Sequence, residues 1–288
     1  MTKNIFKRER YDKISTDTKN AWSELTIAIV GGVIAGIILI LVTPCVTRWM
    51  EARESARELE ENLAAMSLGM SKDYVDDLFD SPVVAYTLPE NTFTIEGEED
   101  IGEIVSSAYR LDDCVLLCMY CDNDLAAFVV VVREEKLFSL PANNYIEETY
   151  LLDFSYADFS DDPRWIENIE GNVPMNNSHW AYYSELYYGA NIASYNYFVV
   201  GSYKDFQEGL DVSRLMWIGQ DICMGNYKTK LHGPYDFSLL PDGEEQEYLE
   251  LRKKVKPNAF GVVDERFAEE FNFVFHIIGT WENASILF

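Results

Sequence analysis

The stretch DCVLLCMYC-DND-LAAFVVVVR, Asp113 to Arg133, holds two runs of strand-forming residues around a short turn. Val, Leu, Tyr and Phe crowd the two runs, and Asp122-Asn123-Asp124 is turn chemistry. The spacing predicts a β-hairpin of Asp113–Cys121 and Leu125–Arg133. Ala127–Val132 is apolar at every position. A strand with one solvated face would alternate, so both faces of this one are expected to be covered. The fold class that follows is α+β, with residues 69–288 forming one domain of mostly antiparallel sheet and short helices.

Working outward, Ser71 is a good N-cap for a short helix over Lys72–Phe79, which Asp80-Ser81-Pro82 ends. Strands are predicted at Val83–Leu88, Thr92–Ile95, Tyr195–Gly201, Leu215–Ile222 and Phe271–Gly279. Short helices are predicted near Pro163–Ile169 and Trp180–Tyr188. A charged helix is predicted at Glu244–Val255, ahead of Pro257. No internal repeat at a fixed period is visible.

Upstream, Leu25–Thr47 reads LTIAIVGGVIAGIILILVTPCVT without a charge, between Glu24 and Arg48. As a helix it spans roughly 35 Å, enough to cross a hydrocarbon core of about 30 Å. It is too long for the apolar region of a signal peptide and is followed by no small-residue cleavage site. A single transmembrane helix over residues 25–47 is the expectation, with a basic tail at residues 1–24. Ala28, Gly32 and Gly36 form one small-residue stripe, the pattern by which two helices pack closely in lipid.

Residues 48–68 contain neither Gly nor Pro and continue as a juxtamembrane helix that Gly69 stops. Trp49, Ala52, Ala56, Leu59, Leu63 and Met66 repeat at heptad spacing. This seam predicts a stalk that extends the membrane contact through Leu59 and Leu63. An amphipathic helix folded onto its own domain satisfies the same spacing.

The charge is uneven. Residues 1–24 carry six Lys/Arg and four acids, whereas the whole chain carries 23 basic and 49 acidic residues, net −26. So acidic a domain repels phosphate backbones, which excludes a nucleic-acid partner. Basic flanks stay cytoplasmic, and Lys7, Arg8, Arg10, Lys13 and Lys19 outnumber Arg48, Arg53 and Arg57. The N-terminus is therefore expected inside and the domain outside. Cys114, Cys118, Cys121 and Cys223 pull the other way, since free thiols are ordinary in a reducing cytosol. Cys114 or Cys118 could instead meet Cys223 across a sheet.

Gly69-Met70-Ser71-Lys72-x-x-Val75, running on to Pro82, resembles the opening of outer-membrane-assembly lipoprotein domains. Phe79 and Asp80 stand where those domains carry glycine. The chain also resembles an uncharacterised family of bacterial single-pass membrane proteins, classed as a domain of unknown function. That likeness lies in the span, the Gly-Met-Ser helix, Tyr183-Ser184-Glu185-x-Tyr187-Tyr188-Gly189, Asn196-Tyr197 and Arg252-x-x-x-Lys256-Pro257-Asn258-x-Phe260-Gly261. It implies a bacterial membrane protein of a mobile or defence-linked locus and brings no reaction with it.

No nucleophile elbow, P-loop, metalloprotease helix or dinucleotide fingerprint occurs. His179, His232 and His276 lack ligand spacing, and acid pairs such as Asp161-Asp162 read as solvated surface. No catalytic residue, metal or cofactor is expected. The binding candidate is the aromatic patch Trp180, Tyr182, Tyr183, Tyr187 and Tyr188, suited to a protein or glycan; the same rings could instead line the core. The expected function is a membrane-anchored interaction or sensor protein, oligomeric through span and stalk, with a protein or envelope partner. The alternatives are a membrane effector with a cytosolic sensing domain that perturbs the bilayer, and a hydrolase with an unconventional site.

Overall fold

The computed structural model describes residues 43, 46–48, 50, 53–89, 101–133, 139–140, 149–163, 166–172, 180–191, 194–205, 210–224, 240 and 243–268 of the 288-residue chain. The chain divides into two compact units, Met1–Leu59 and Glu60–Phe288. In the first, residues 43, 46–48, 50 and 53–59 are helical. Most of the expected span lies outside the described residues, including Ala28, Gly32 and Gly36, as does the basic tail. Among the described residues no helix is long and apolar enough to cross a membrane.

The second unit is the α+β domain. It opens with the end of helix α1 (residues 53–65) and α2 (Lys72–Phe79). Then come β1 (Val84–Thr87), β2 (Ile104–Arg110), β3 (Cys114–Cys121), β4 (Asp124–Val132), the short β5 (Ser139–Leu140) and β6 (Thr149–Tyr150), and α3 (Tyr156–Phe159). The second half carries β7 (Ile166–Asn172), β8 (Trp180–Asn191), β9 (Ser194–Asp205), α4 (Leu210–Met224), α5 (Glu244–Lys254), β10 (Ala259–Asp264) and α6 (Glu265–Ala268). Eight strands form one sheet in the order β1-β2-β3-β4-β10-β9-β8-β7. Every neighbouring pair is antiparallel. Two four-stranded meanders thus meet edge to edge at β4 and β10.

Both faces of the sheet are buried at its centre. One face gathers Leu117, Val129, Val199 and Leu186 into a core with Phe267 and Ala268 of α6. The other bears Tyr109, Tyr120, Tyr183, Glu185 and Tyr187, all buried. On it α2 reaches Tyr109, and α3 and α5 reach β8. Helix α4 packs along β7 and β8. All eight residues of β3 are buried, as is β4 after Asp124, so the apolar run is covered on both sides as expected.

The hairpin turns on Asp122 and Asn123, with φ of 50° and 75°, between the paired residues Cys121 and Asp124. Two consecutive positive φ values match the twist of the flanking strands, and Asn tolerates them better than most residues. Replacing Asn123 with alanine is expected to lower unfolding free energy by about 1–2 kcal/mol. Glycine there should match or exceed the wild type; equal denaturation midpoints for all three chains would contradict the turn assignment.

Ser71 caps α2 by accepting a hydrogen bond from the Tyr74 amide, and the helix covers the predicted residues. The Gly-Met-Ser segment then runs along β4: the Gly69 amide donates to Leu125 O at 2.8 Å and the Leu125 amide to Met70 O at 2.8 Å. Gly69 has φ of +82° there, a left-handed turn that suits glycine. Helix α1 ends at residue 65, short of the expected Leu68, because Met66 turns back to Leu63 O.

Three expectations fail. Residues of Pro163–Ile169 and Trp180–Tyr188, expected helical, enter β7 and β8. In β8 successive residues from Tyr182 to Tyr187 point to opposite faces, both of them buried. In β7 a register shift between Ile166 and Asn168 sets the buried Ile166 and Ile169 three apart, a spacing that imitates a helix. Leu215–Ile222, expected as a strand, lies inside α4. Its buried Val212, Leu215, Met216, Gly219 and Ile222 follow helical spacing, with Asp211, Trp217 and Asp221 outward. Thr92–Ile95 and Phe271–Gly279 lie outside the described residues.

Candidate functional site

A lone acid in the middle of an apolar strand must find a partner or lose its charge. Glu185 is such an acid, fully buried in β8. Its partner is Arg252 of α5, itself 1% exposed. Arg252 Nε donates to Glu185 Oε1 at 2.8 Å and Nη2 to Oε2 at 3.0 Å, a two-pronged pairing. Nη2 also donates to the carbonyl of Ser160 at 2.9 Å and lies 3.2 Å from the carbonyl of Tyr156.

Three phenols complete the shell. Tyr183 donates to Glu185 Oε1 at 2.5 Å and Tyr248 to the same oxygen at 3.1 Å. The two hydroxyls lie 2.8 Å apart. Tyr187 donates to Glu185 Oε2 and accepts from Arg252 Nη2 at 2.9 Å. Alternation along β8 puts Tyr183, Glu185 and Tyr187 on one face. One turn of α5 separates Tyr248 from Arg252, so both point at that face.

Burial, and then the Glu185 charge, pushes Tyr183, Tyr187 and Tyr248 well above the ordinary phenol range. They stay neutral donors. For Arg252, burial opposes the charge, but Glu185 and the phenols outweigh it and keep the guanidinium protonated. Asn258 extends the clamp: its Nδ2 reaches the carbonyls of Val132 and Tyr203, and its Oδ1 accepts from the Tyr203 amide at 2.7 Å.

A second polar cluster lies under α2. Tyr109 donates to Asp76 Oδ1 at 2.7 Å and lies 3.0 Å from the Tyr120 hydroxyl, while Lys72 pairs with Asp76 at 2.5 Å. Cys118 beside it is fully buried, and burial pushes its thiol up to about 12.

Chemically, the Glu185 carboxylate is met by the Arg252 guanidinium and three phenols, all of them buried. Its role is to hold α5 against β8 and α3. Among the described residues no group of three or more His, Cys, Asp or Glu side chains is placed to hold a metal ion. The three histidines fall outside the described residues.

Of the expected aromatic patch, Tyr182, Tyr183 and Tyr187 are buried, so these three line the core and present no surface to a partner. Tyr188 is half-buried, edge-on to Tyr197 with ring centroids 5.2 Å apart. Trp180 starts β8. Leu59 is half-buried, and Leu63 is 1% exposed, inside the second unit. Leu63 is therefore spent on the domain core and is not free to face a second helix. Cys114, Cys118 and Cys121 are buried thiols, and neither Cys114 nor Cys118 makes the disulfide considered with Cys223.

No family model, curated protein or solved structure matches the chain.

Proposed function

We propose that this chain is a single-pass membrane protein whose acidic α+β domain acts by binding, as an interaction or sensor module. The observation that carries the reading is the uncharged run Leu25–Thr47 ahead of a folded domain. The buried Glu185 cluster is read as a structural anchor, since Glu185 and Arg252 are both out of reach of a substrate. In this reading the tail is cytoplasmic, the domain lies outside and copies associate through Ala28, Gly32 and Gly36. The family resemblance would place it in a bacterial envelope, linked to defence or mobile elements.

Full-length protein should sediment with membranes after lysis and resist alkaline carbonate, and a chain lacking residues 25–47 should remain in the supernatant. Gly32→Ile with Gly36→Ile should reduce the mass of the detergent-solubilised oligomer. Recovery of the full-length chain in the supernatant would sink the anchor, and an unchanged mass would remove the helix contact.

One observation favours a second reading. Cys114 and Cys118, both outside any disulfide, suit a reducing compartment, which would make the domain cytosolic and the protein a membrane effector. Cys114, Cys118 and Cys121 are buried, so an introduced thiol must report, in a chain whose Cys45 and Cys223 are replaced by serine. Tyr74 is 49% exposed. Labelling of Tyr74→Cys by an impermeant maleimide on intact cells supports the outside domain, and labelling only after permeabilisation supports the cytosolic one.

A further inference from the structure

The strands that join the two meanders carry nearly the same sequence. Ala127-Phe128-Val129-Val130-Val131 of β4 lies against Ala259-Phe260-Gly261-Val262-Val263 of β10. They pair antiparallel with Val129 opposite Gly261, Ala127 opposite Val263 and Ala259 opposite Val131. A two-fold axis between Val129 and Gly261 exchanges the strands and brings like onto like.

That axis makes a prediction about residues far from it. Following the pairing outward, Val129 leads to Leu117 and then Ala108, and Gly261 leads to Val199 and then Leu186. In this register Ser106 falls on Ser184 and Tyr109 on Tyr187. Each of these tyrosines is packed by the phenylalanine that ends a helix. Phe79 of α2 lies 6.2 Å from Tyr109 and Phe159 of α3 lies 4.9 Å from Tyr187, both tilted by 54°. Both helices open on a serine whose side chain accepts an amide hydrogen bond, Ser71 and Ser155. The strand match fixed the axis, and the ring contacts agree with it independently.

We propose that the domain is two copies of one unit, a serine-capped helix followed by a four-stranded meander, set about a pseudo-two-fold axis at Val129 and Gly261. The first copy is α2 with β1 to β4, and the second is α3 with β7 to β10. The copies differ most in one connection. A two-residue turn joins β3 to β4, whereas α4 and α5 stand between β9 and β10. This insertion and the unequal loops before it keep a fixed period out of the sequence. It also explains the buried charge. Ser107 occupies in the first copy the register position of Glu185 in the second. The acid stands only where the inserted α5 brings Arg252, so the pair is the anchor by which the second copy holds its insertion.

Exchanging the residues at the axis tests the symmetry. A Cβ on Gly261 would stand 2.3 Å from the Phe128 carbonyl oxygen and 2.5 Å from a Val129 methyl carbon. Gly261→Val should therefore cost much of the folded protein or lower its urea midpoint sharply. Val129→Gly alone removes the methyl contact but leaves the carbonyl in place. Only if Phe128 and Phe260 can trade roles about a two-fold is that clash relieved as well. The double variant Val129→Gly with Gly261→Val should then regain most of the midpoint lost by Gly261→Val. A double variant no more stable than Gly261→Val, or one that fails to fold, would overturn the proposal. An experimental structure gives the second measurement. The two copies should superpose by a rotation near 180° with both Phe–Tyr contacts matched, and a different rotation or the loss of either contact would also overturn it.

Discussion

Arg252→Met is expected to lower the unfolding free energy by about 3–5 kcal/mol, the range for removing one partner of a buried ion pair. The reason lies in what is left behind. Glu185 has no route to water, and α5 closes over it. Without the guanidinium, its carboxylate keeps three phenol donors but no opposing charge. The Ser160 carbonyl loses the Arg252 donor at the same time, while the Tyr156 carbonyl keeps the Ser160 amide. A domain of this size has about 5–15 kcal/mol in total, so the loss is a large share of it.

Adding Glu185→Gln to Arg252→Met separates charge from packing. Glutamine still accepts from the tyrosines through its carbonyl, and no unpaired charge remains. The double variant should recover more than half of the loss in urea denaturation. The inverse choice, Glu185→Leu, would strand three phenol hydroxyls and should recover little. Amide exchange adds a local readout, with α5 amides losing protection in Arg252→Met before those of β3 and β4. A midpoint for Arg252→Met within the error of wild type would mean that the pair carries little of the stability.

Local signals in the chain were legible where they acted alone. Val, Leu and Phe around Asp-Asn-Asp specify the β3–β4 hairpin because turn and strands agree over a short distance. Ser71 and the charged run at Glu244 give their helices for the same reason. Where both faces of an element are buried, the alternation that separates strand from helix disappears. Trp180–Tyr188 hides its strand in that way, whereas Leu215–Ile222 keeps an outward face at Trp217 and Asp221 but is too short an apolar run for its period to separate helix from strand. Strands β2 and β10 escaped for a related reason: Ser106, Ser107 and Gly261 dilute their strand character, and the sheet supplies the rest.

The Glu185–Arg252 pair was half visible. An acid inside Tyr-Tyr-Ser-Glu-Leu-Tyr-Tyr is out of keeping with its surroundings, and that alone marks it as paired or perturbed. Which of 23 basic residues it meets depends on how α5 returns to the sheet. No local pattern holds that information. Within the aromatic patch the residue types hide a second role: Tyr183 and Tyr187 are donors to one buried carboxylate.

Alkali should unfold this domain steeply, beginning below the pH at which most proteins are challenged. Burial pushes the thiols of Cys114 and Cys118 up to about 12, with the charge of Asp113 adding to Cys114. In the unfolded chain both ionise from about pH 8.5–9. Above that pH the unfolded state has released protons that the folded state still holds. The stabilisation is therefore complete below about pH 9 and is lost as pH climbs toward 12. Once the unfolded thiol is ionised, each costs about 1.4 kcal/mol per pH unit. From about pH 10 the unfolded phenols join. Tyr109, Tyr120, Tyr156, Tyr183, Tyr187 and Tyr248 are all held above the usual range by burial, so the slope grows again. Urea midpoints measured from pH 7 to 10 should fall progressively above pH 9. Cys114→Ala with Cys118→Ala should start lower at pH 7, through lost packing, yet decline less between pH 8.5 and 10. The comparison isolates these two groups, because every other titrating side chain is common to both proteins. Parallel declines would show that the thiols titrate alike in folded and unfolded chains, which a dry β3 does not permit.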